Sequence, residues 1–268
     1  MSDFLQTMAT LSAERAATAG VITAANLDKP VVPLRLGAFD VIAEIKDRSP
    51  AEGGLATDGA DRSERARQYA MGGAAAISVL TEPSRFDGAL EHVEEVVAAV
   101  PDTPVMRKDF LVDPVQILEA RRAGASGVLL IVTMLDDAVL RAMLDCAAEH
   151  GLFVLLESFD ELDLARASQL LDNSGDQQRA ERGELLFGVN TRDLRTLHVD
   201  PRRLQTLAPF LPRARCVAES GLHSSADAAT VAGLGYTLAL VGTALMRSED
   251  PAGLVGEMRA AGADGITA

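Results

Sequence analysis

Residues 104–132 read PVMRKDFLVDPVQILEARRAGASGVLLIV. The first four residues are a short apolar run that ends in charge. Asp113-Pro114 then sets a capping carboxylate before a proline at the first helical position, where a missing N–H breaks no helical hydrogen bond. Residues 114–123 carry helical periodicity, Gly124 falls where that helix should stop, and 126–132 (SGVLLIV) is a second β-rich run. The stretch is one strand–helix–strand unit, and its type of connection implies a parallel sheet.

Working outward, the same alternation fills the chain. Strands are expected at 40–46, 75–80, 104–107, 126–132, 152–157, 185–190, 215–219 and 237–242, with helices near 61–72, 88–99, 114–123, 136–150, 161–171, 201–208, 224–233 and 251–260. Asp200-Pro201 and Asp250-Pro251 repeat the helix-start device. Eight such units fit a (β/α)8 TIM barrel, which typically needs about 250 residues. The rival doubly wound sheet lacks its marker, since the first strand exits through KDRSPAEGG with no GxGxxG. Residues 1–38 stand outside the repeat as an N-terminal helical extension with Phe4, Met8 and Leu11 on one helix face, ahead of a barrel over 39–268. Residues 172–184 (DNSGDQQRAERGE) read as a polar loop on the face away from the chemistry.

The 268 residues carry 25 Lys+Arg against 39 Asp+Glu, a net charge of −14, which excludes a nucleic-acid coating protein. A composition of 48% hydrophobic and 24% charged residues is that of an ordinary globular chain. The absence of a long apolar run or a signal-peptide pattern predicts a cytoplasmic protein without membrane contact. Cys146 and Cys216 are far apart and outside any CxxC or Cys/His spacing, so reduced thiols and no metal site are expected. Only three cations are lysines: Lys29, Lys46 and Lys108.

In a barrel the chemistry lies at the carboxyl ends of the strands. Glu44 and Lys46 share one face of the first strand, Lys108 follows the third, Glu157 ends the fifth, and Asn190 ends the sixth with Arg192 two residues on. Glu219-Ser220-Gly221 ends the seventh. A ring of close ionisable groups suits proton transfer. Lysine suits a proton donor better than arginine, because its pKa falls readily on desolvation. Ser220-Gly221 and Gly242-Thr243 put small residues and backbone N–H groups where barrels commonly hold phosphate. No GxSxG elbow surrounds Ser220, no histidine falls at a strand exit, and no cofactor fingerprint is present.

The strings IAEIKDRSP (42–50), MRKDFLVDPVQILEARRAGASGVLLIV (106–132), LLES (155–158), GVNTRDLRTLHVD (188–200), AESGL (218–222) and LVGTALMRSEDP (240–251) resemble indole-3-glycerol phosphate synthase. The resemblance implies a cofactor-free lyase of tryptophan synthesis. Such an enzyme converts 1-(2-carboxyphenylamino)-1-deoxyribulose 5-phosphate into indole-3-glycerol phosphate, carbon dioxide and water. It further implies Lys108 as general acid for ring closure, Glu157 as general base for dehydration, and Lys46 as the group that binds the substrate carboxylate or assists proton transfer. Glu44, Ser49, Asn190 and Arg192 match the rest of the polar set. Phe86, Phe110, Ile131 and Leu240 would line the aromatic pocket, and Ser220, Gly221, Gly242 and Thr243 would hold the phosphate. The N-terminal segment would pack over the barrel mouth. A small phosphorylated substrate is the expected partner, with a monomer expected and a homodimer as the alternative.

The chain departs from the family pattern at Ala51, Glu52, Arg85, Phe159 and Thr191, positions expected around the aromatic end of the pocket and its lid. Those departures keep open a paralogue that acts on a substituted anthranilate adduct. A barrel that binds a sugar phosphate without catalysis is the other alternative.

Overall fold

The computed structural model describes residues 3–49, 53–54 and 61–267. Its parallel strands are β1 (Asp40–Ile45), β2 (Ala76–Leu80), β3 (Val105–Lys108), β4 (Gly127–Ile131), β5 (Phe153–Ser158), β6 (Leu185–Asn190), β7 (Cys216–Glu219) and β8 (Leu238–Val241). They follow one another around a closed barrel, with β8 pairing back onto β1 at Asp40↔Leu238. The strands lie within a residue or two of the expected spans, because each is bounded by turn residues that the alternation exposes.

The period of two divides each strand between two cores. Val41, Ala43 and Ile45 face outward into the layer shared with the helices, whereas Ile42, Ala76, Met106, Leu129, Leu155, Leu186, Val217 and Leu240 fill the barrel interior. The described helices are α1 (Asp3–Ala17), α2 (Arg62–Met71), α3 (Leu90–Ala99), α4 (Pro114–Ala123), α5 (Asp137–Glu149), α6 (Glu161–Ser168), α7 (Ser174–Glu181), α8 (Arg203–Leu207), α9 (Ser225–Gly233) and α10 (Pro251–Thr267), with short helices at Pro83–Phe86 and Thr243–Arg247. Asp113 caps α4 as read from its sequence, accepting from Val115 N at 2.8 Å.

Two expectations are corrected. Residues 172–184 are not a plain loop: they contain α7, capped by Asn173, whose side chain accepts from Gly175 N and Asp176 N. Its polar composition conceals a buried face, where Arg179 donates to the carbonyls of Leu144 and Leu152 and Asp176 pairs with Arg141 at 2.6 Å. The last helix runs on to Thr267, beyond the expected 260, because Gly262 and Gly265 give it close approach to Phe39 and Ala229 that a Cβ would block. In α1 the expected face of Phe4, Met8 and Leu11 packs against the interior cluster, and Leu5 and Ser12 are fully buried beside Met8. The helix is turned by a polar anchor, since Ser12 Oγ accepts from Gln116 Nε2 at 2.8 Å.

The connection from α1 to the barrel is fastened to α4. Arg121 donates to Leu27 O at 3.0 Å, and Val32 N donates to Ser126 Oγ at 2.9 Å. Lys29 Nζ donates to Ala123 O at 3.2 Å and pairs with Glu94 at 3.5 Å. A cation at a helix C-terminus is stabilising there, which gives the third lysine a structural task.

Candidate active site

Because alternate residues face the barrel axis, the polar strand exits converge. Glu44, Lys46, Lys108, Glu157, Asn190 and Arg192 line a cavity of about 310 Å³. Lys108 Nζ lies 3.4 Å from Glu44, 3.8 Å from Glu157 and 4.0 Å from Glu219, so it bridges carboxylates from three other strands. Lys46 Nζ takes the other Glu44 oxygen at 2.8 Å.

The charges decide the protonation states. Burial would raise the pKa of Glu44, but Lys46 and Lys108 outweigh it and hold that carboxyl at about 2. Burial alone would depress Lys108; Glu44, Glu157 and Glu219 together reverse this and raise it above the ordinary lysine value. The expected fall of the lysine pKa on desolvation is therefore overturned by its neighbours. Glu219 is pushed well above the carboxylate range, first by burial and then by Glu157. Among the described residues, no hydrogen bond reaches the carboxylate oxygens of Glu157 or Glu219.

Two glycines, one in β6 and one just after β8, make this crowding sterically feasible. A Cβ at Gly188 of β6 would overlap Glu219 Oε1, and one at Gly242 would overlap Glu44 Oε1. Gly242 thus has a reason to be glycine beyond any phosphate.

One wall of the cavity is apolar. Phe110 meets Phe4 edge-on at 5.9 Å between ring centroids and tilts toward Phe86 at 6.3 Å, with Leu129, Ile131 and Leu240 alongside. Ser220, Gly221, Gly242 and Thr243 also line it, as does His223. Ser220 (φ 66°) and Gly221 (φ 74°) are consecutive left-handed residues. For serine this costs roughly 1–2 kcal/mol, a strain that accumulates at ligand-clamping loops.

Every candidate residue whose side chain is described lines this cavity; of Ser49 the backbone alone is described, paired with Gly53 in a short antiparallel ribbon. Glu219 joins Glu44 and Glu157 as a third carboxyl, from the exit of β7. Phe4 was read only as part of a helix face, since nothing local says that the helix turns it into the barrel. Ala51 and Glu52 lie outside the described residues. Arg85, Phe159 and Thr191 do not line the cavity. Arg85 is exposed within the Glu82-capped short helix, and Thr191 is buried with its N–H on Glu219 O. Phe159 packs in the interior cluster beneath Arg195, whose guanidinium sits 5.6 Å from the ring centroid.

Behind Glu157 the chain turns through Phe159, whose N–H donates to Asp163 Oδ2 at 3.0 Å. Burial pushes the Asp163 carboxyl up to about 6, with Asp160 adding to it against the Phe159 hydrogen bond. The unfolded chain loses this proton near pH 4, so as pH rises from 4 to 6 the carboxyl increasingly disfavours the folded state, fully so above 6. Asp163→Asn keeps the acceptor and removes the penalty. Urea denaturation should show it stabilised by about 1–2 kcal/mol at pH 7.5, with the gain largely gone at pH 4. Equal stability of the two proteins at both pH values would refute the shift.

A buried ring of two lysines and three carboxyls, set at the carboxyl ends of parallel strands, can donate and accept protons on a small ligand. Fold and site define a (β/α)8-barrel enzyme. Residues 34–258 match the family model of indole-3-glycerol phosphate synthase, and the chain belongs to that family. It is 47% identical over 238 residues to the indole-3-glycerol phosphate synthase of a Nocardioides species, covering 87% of this chain and 86% of that protein. With the Opitutus terrae protein of the same name it shares 41% over 229 residues, covering 84% and 81%. Among solved structures, 3-hexulose-6-phosphate synthase from Salmonella typhimurium has a TM-score of 0.62 at 18% identity, over 85% of this chain and all of that one, a likeness of fold alone. No described helix is long and apolar enough to cross a membrane.

Proposed function

We propose that this chain closes the indole ring of a carboxyphenylamino-deoxyribulose phosphate, releasing carbon dioxide and water and leaving indole-3-glycerol phosphate. The observation that carries the reading is Lys108 within 4.0 Å of three carboxyls, between an apolar wall and two glycine-bearing loops. Lys108 protonates the ribulose carbonyl oxygen as the aromatic carbon attacks it. Loss of carbon dioxide then restores aromaticity, and departure of the hydroxyl needs an acid and a base together. Glu157 is the base of that last step. Lys46, shared with Glu44, pairs with the substrate carboxylate or passes a proton, and Asn190 and Arg192 complete the polar wall. Phe86, Phe110, Ile131 and Leu240 enclose the anthranilate ring, while Ser220, Gly221, Gly242 and Thr243 take the phosphate.

Residues 1–38 act as a cover for the barrel over 39–268, a reading supported by Phe4 in the cavity wall. Arg85, Phe159 and Thr191 stand off the cavity, which favours the unsubstituted anthranilate adduct. Conversion of that adduct, followed by product fluorescence, is the test; folded protein that does not turn it over refutes the proposal. Glu157→Gln should lower turnover at least about 100-fold. Product affinity should change little, whereas a matching loss of affinity would make Glu157 a group that positions the ligand.

A further inference from the structure

Lys108 is the last residue of β3, and its two chain neighbours, Arg107 and Asp109, share one buried network, of which Asp109 also lines the cavity. Asp109 has a fully buried carboxylate. Its Oδ1 accepts from Arg15 Nη2 at 2.7 Å and from Phe110 N at 2.8 Å; its Oδ2 accepts from Thr81 Oγ1 at 2.8 Å and Arg107 Nη2 at 3.2 Å. Arg107 is itself shared, donating to Gln116 O at 3.0 Å and pairing with Glu119 at 3.2 Å. Two cations therefore compensate Asp109, and the one with no other carboxylate partner in the described network comes from α1.

A buried carboxylate is tolerated only while it stays paired and hydrogen-bonded. Without Arg15, Asp109 relaxes most readily by moving toward solvent. That movement carries with it the peptide of Lys108, whose carbonyl is held by Thr81 N at 3.0 Å, and the ring of Phe110. Lys108 is sensitive to such a shift because its ammonium must stay between three carboxyls at 3.4, 3.8 and 4.0 Å.

We propose that Arg15 is a positioning residue for Lys108, acting through Asp109, so that the seating of α1 completes the proton donor. The inference rests on the reading of Lys108 as the acid. The fold supplies its own control. Ser12 also ties α1 to the segment after β3, through Gln116, whose Oε1 accepts from Val112 N and Asp113 N, but this tie bypasses Asp109.

The test compares Arg15→Ala, Arg15→Lys, Ser12→Ala and Lys108→Arg in the full chain by steady-state kinetics and thermal melts. Arg15→Ala should lose about 10- to 100-fold in kcat, the scale of a misplaced catalytic group, with KM nearly unchanged. Arg15→Lys, which returns a cation, should recover most of that loss. Ser12→Ala should melt at a lower temperature while keeping kcat close to that of the parent. If Arg15→Ala does not fold, Arg15→Gln keeps an N–H donor without the charge and should show the same split. An unchanged kcat, a loss confined to KM, or an equal loss of kcat in Ser12→Ala each overturns the positioning role. An active Lys108→Arg beside an impaired Arg15 variant overturns the acid assignment, and the proposal falls with it. An inactive Lys108→Arg beside a fully active Arg15→Ala overturns the positioning role alone.

Discussion

Lys108→Arg is expected to lower turnover at least about 100-fold, the usual scale for losing a general acid. The substitution keeps the positive charge, so it separates charge from proton donation. Arginine stays protonated under all working conditions, and its planar fork would spread over carboxyls that now converge on one ammonium. Binding of the anionic ligand should survive better than its conversion. The measurement is kcat for the carboxyphenylamino-deoxyribulose phosphate, with a melting curve to show that the variant is folded. Turnover within a few-fold of the parent would remove Lys108 from the acid's role.

Gly188→Ala should cost about as much, although the residue has no side chain to offer. Its Cβ would overlap Glu219 Oε1 and lie 3.1 Å from Leu155 Cδ1, and the backbone fixes its place. Glu219 must move within a ring already filled by Lys108 and Glu157. An added methyl in a packed interior commonly costs 1–3 kcal/mol, and a displaced catalytic group about 100-fold in rate. Assaying turnover and urea stability of the same variant separates the two effects. A variant less stable but equally active would show that the carboxyl of Glu219 is not needed in its present place.

Much of this site was legible because a barrel turns sequence position into spatial position. Once the strand ends near 46, 108, 157, 190 and 220 are read as one ring, Glu44, Lys46, Lys108, Glu157 and Asn190 are neighbours without further information. What stayed hidden depends on contacts between distant segments. The place of Phe4 in the cavity wall depends on its ring meeting Phe110, far along the chain. Helix α7 leaves no apolar periodicity because its buried face is made of Asp176 and Arg179, which look like solvent residues until Arg141, Leu144 and Leu152 are placed beside them. The direction of the Lys108 shift could not be read either. Burial and carboxylates oppose one another, and the outcome needs distances.

The fastening of residues 27–32 along α4 leaves a short span between the end of α1 at Ala17 and the hydrogen-bonded carbonyl of Leu27. Val21 within it is 90% exposed. This span makes docking of α1 unimolecular, at an effective concentration that short flexible tethers bring to the order of millimolar. A cut at Val21 would remove no contact that α1 makes with the barrel, yet it would release the helix as a separate peptide. Occupancy of its berth would then fall with dilution. Occupancy of that berth at any dilution thus resides in a short, largely exposed span outside both the helix and the barrel.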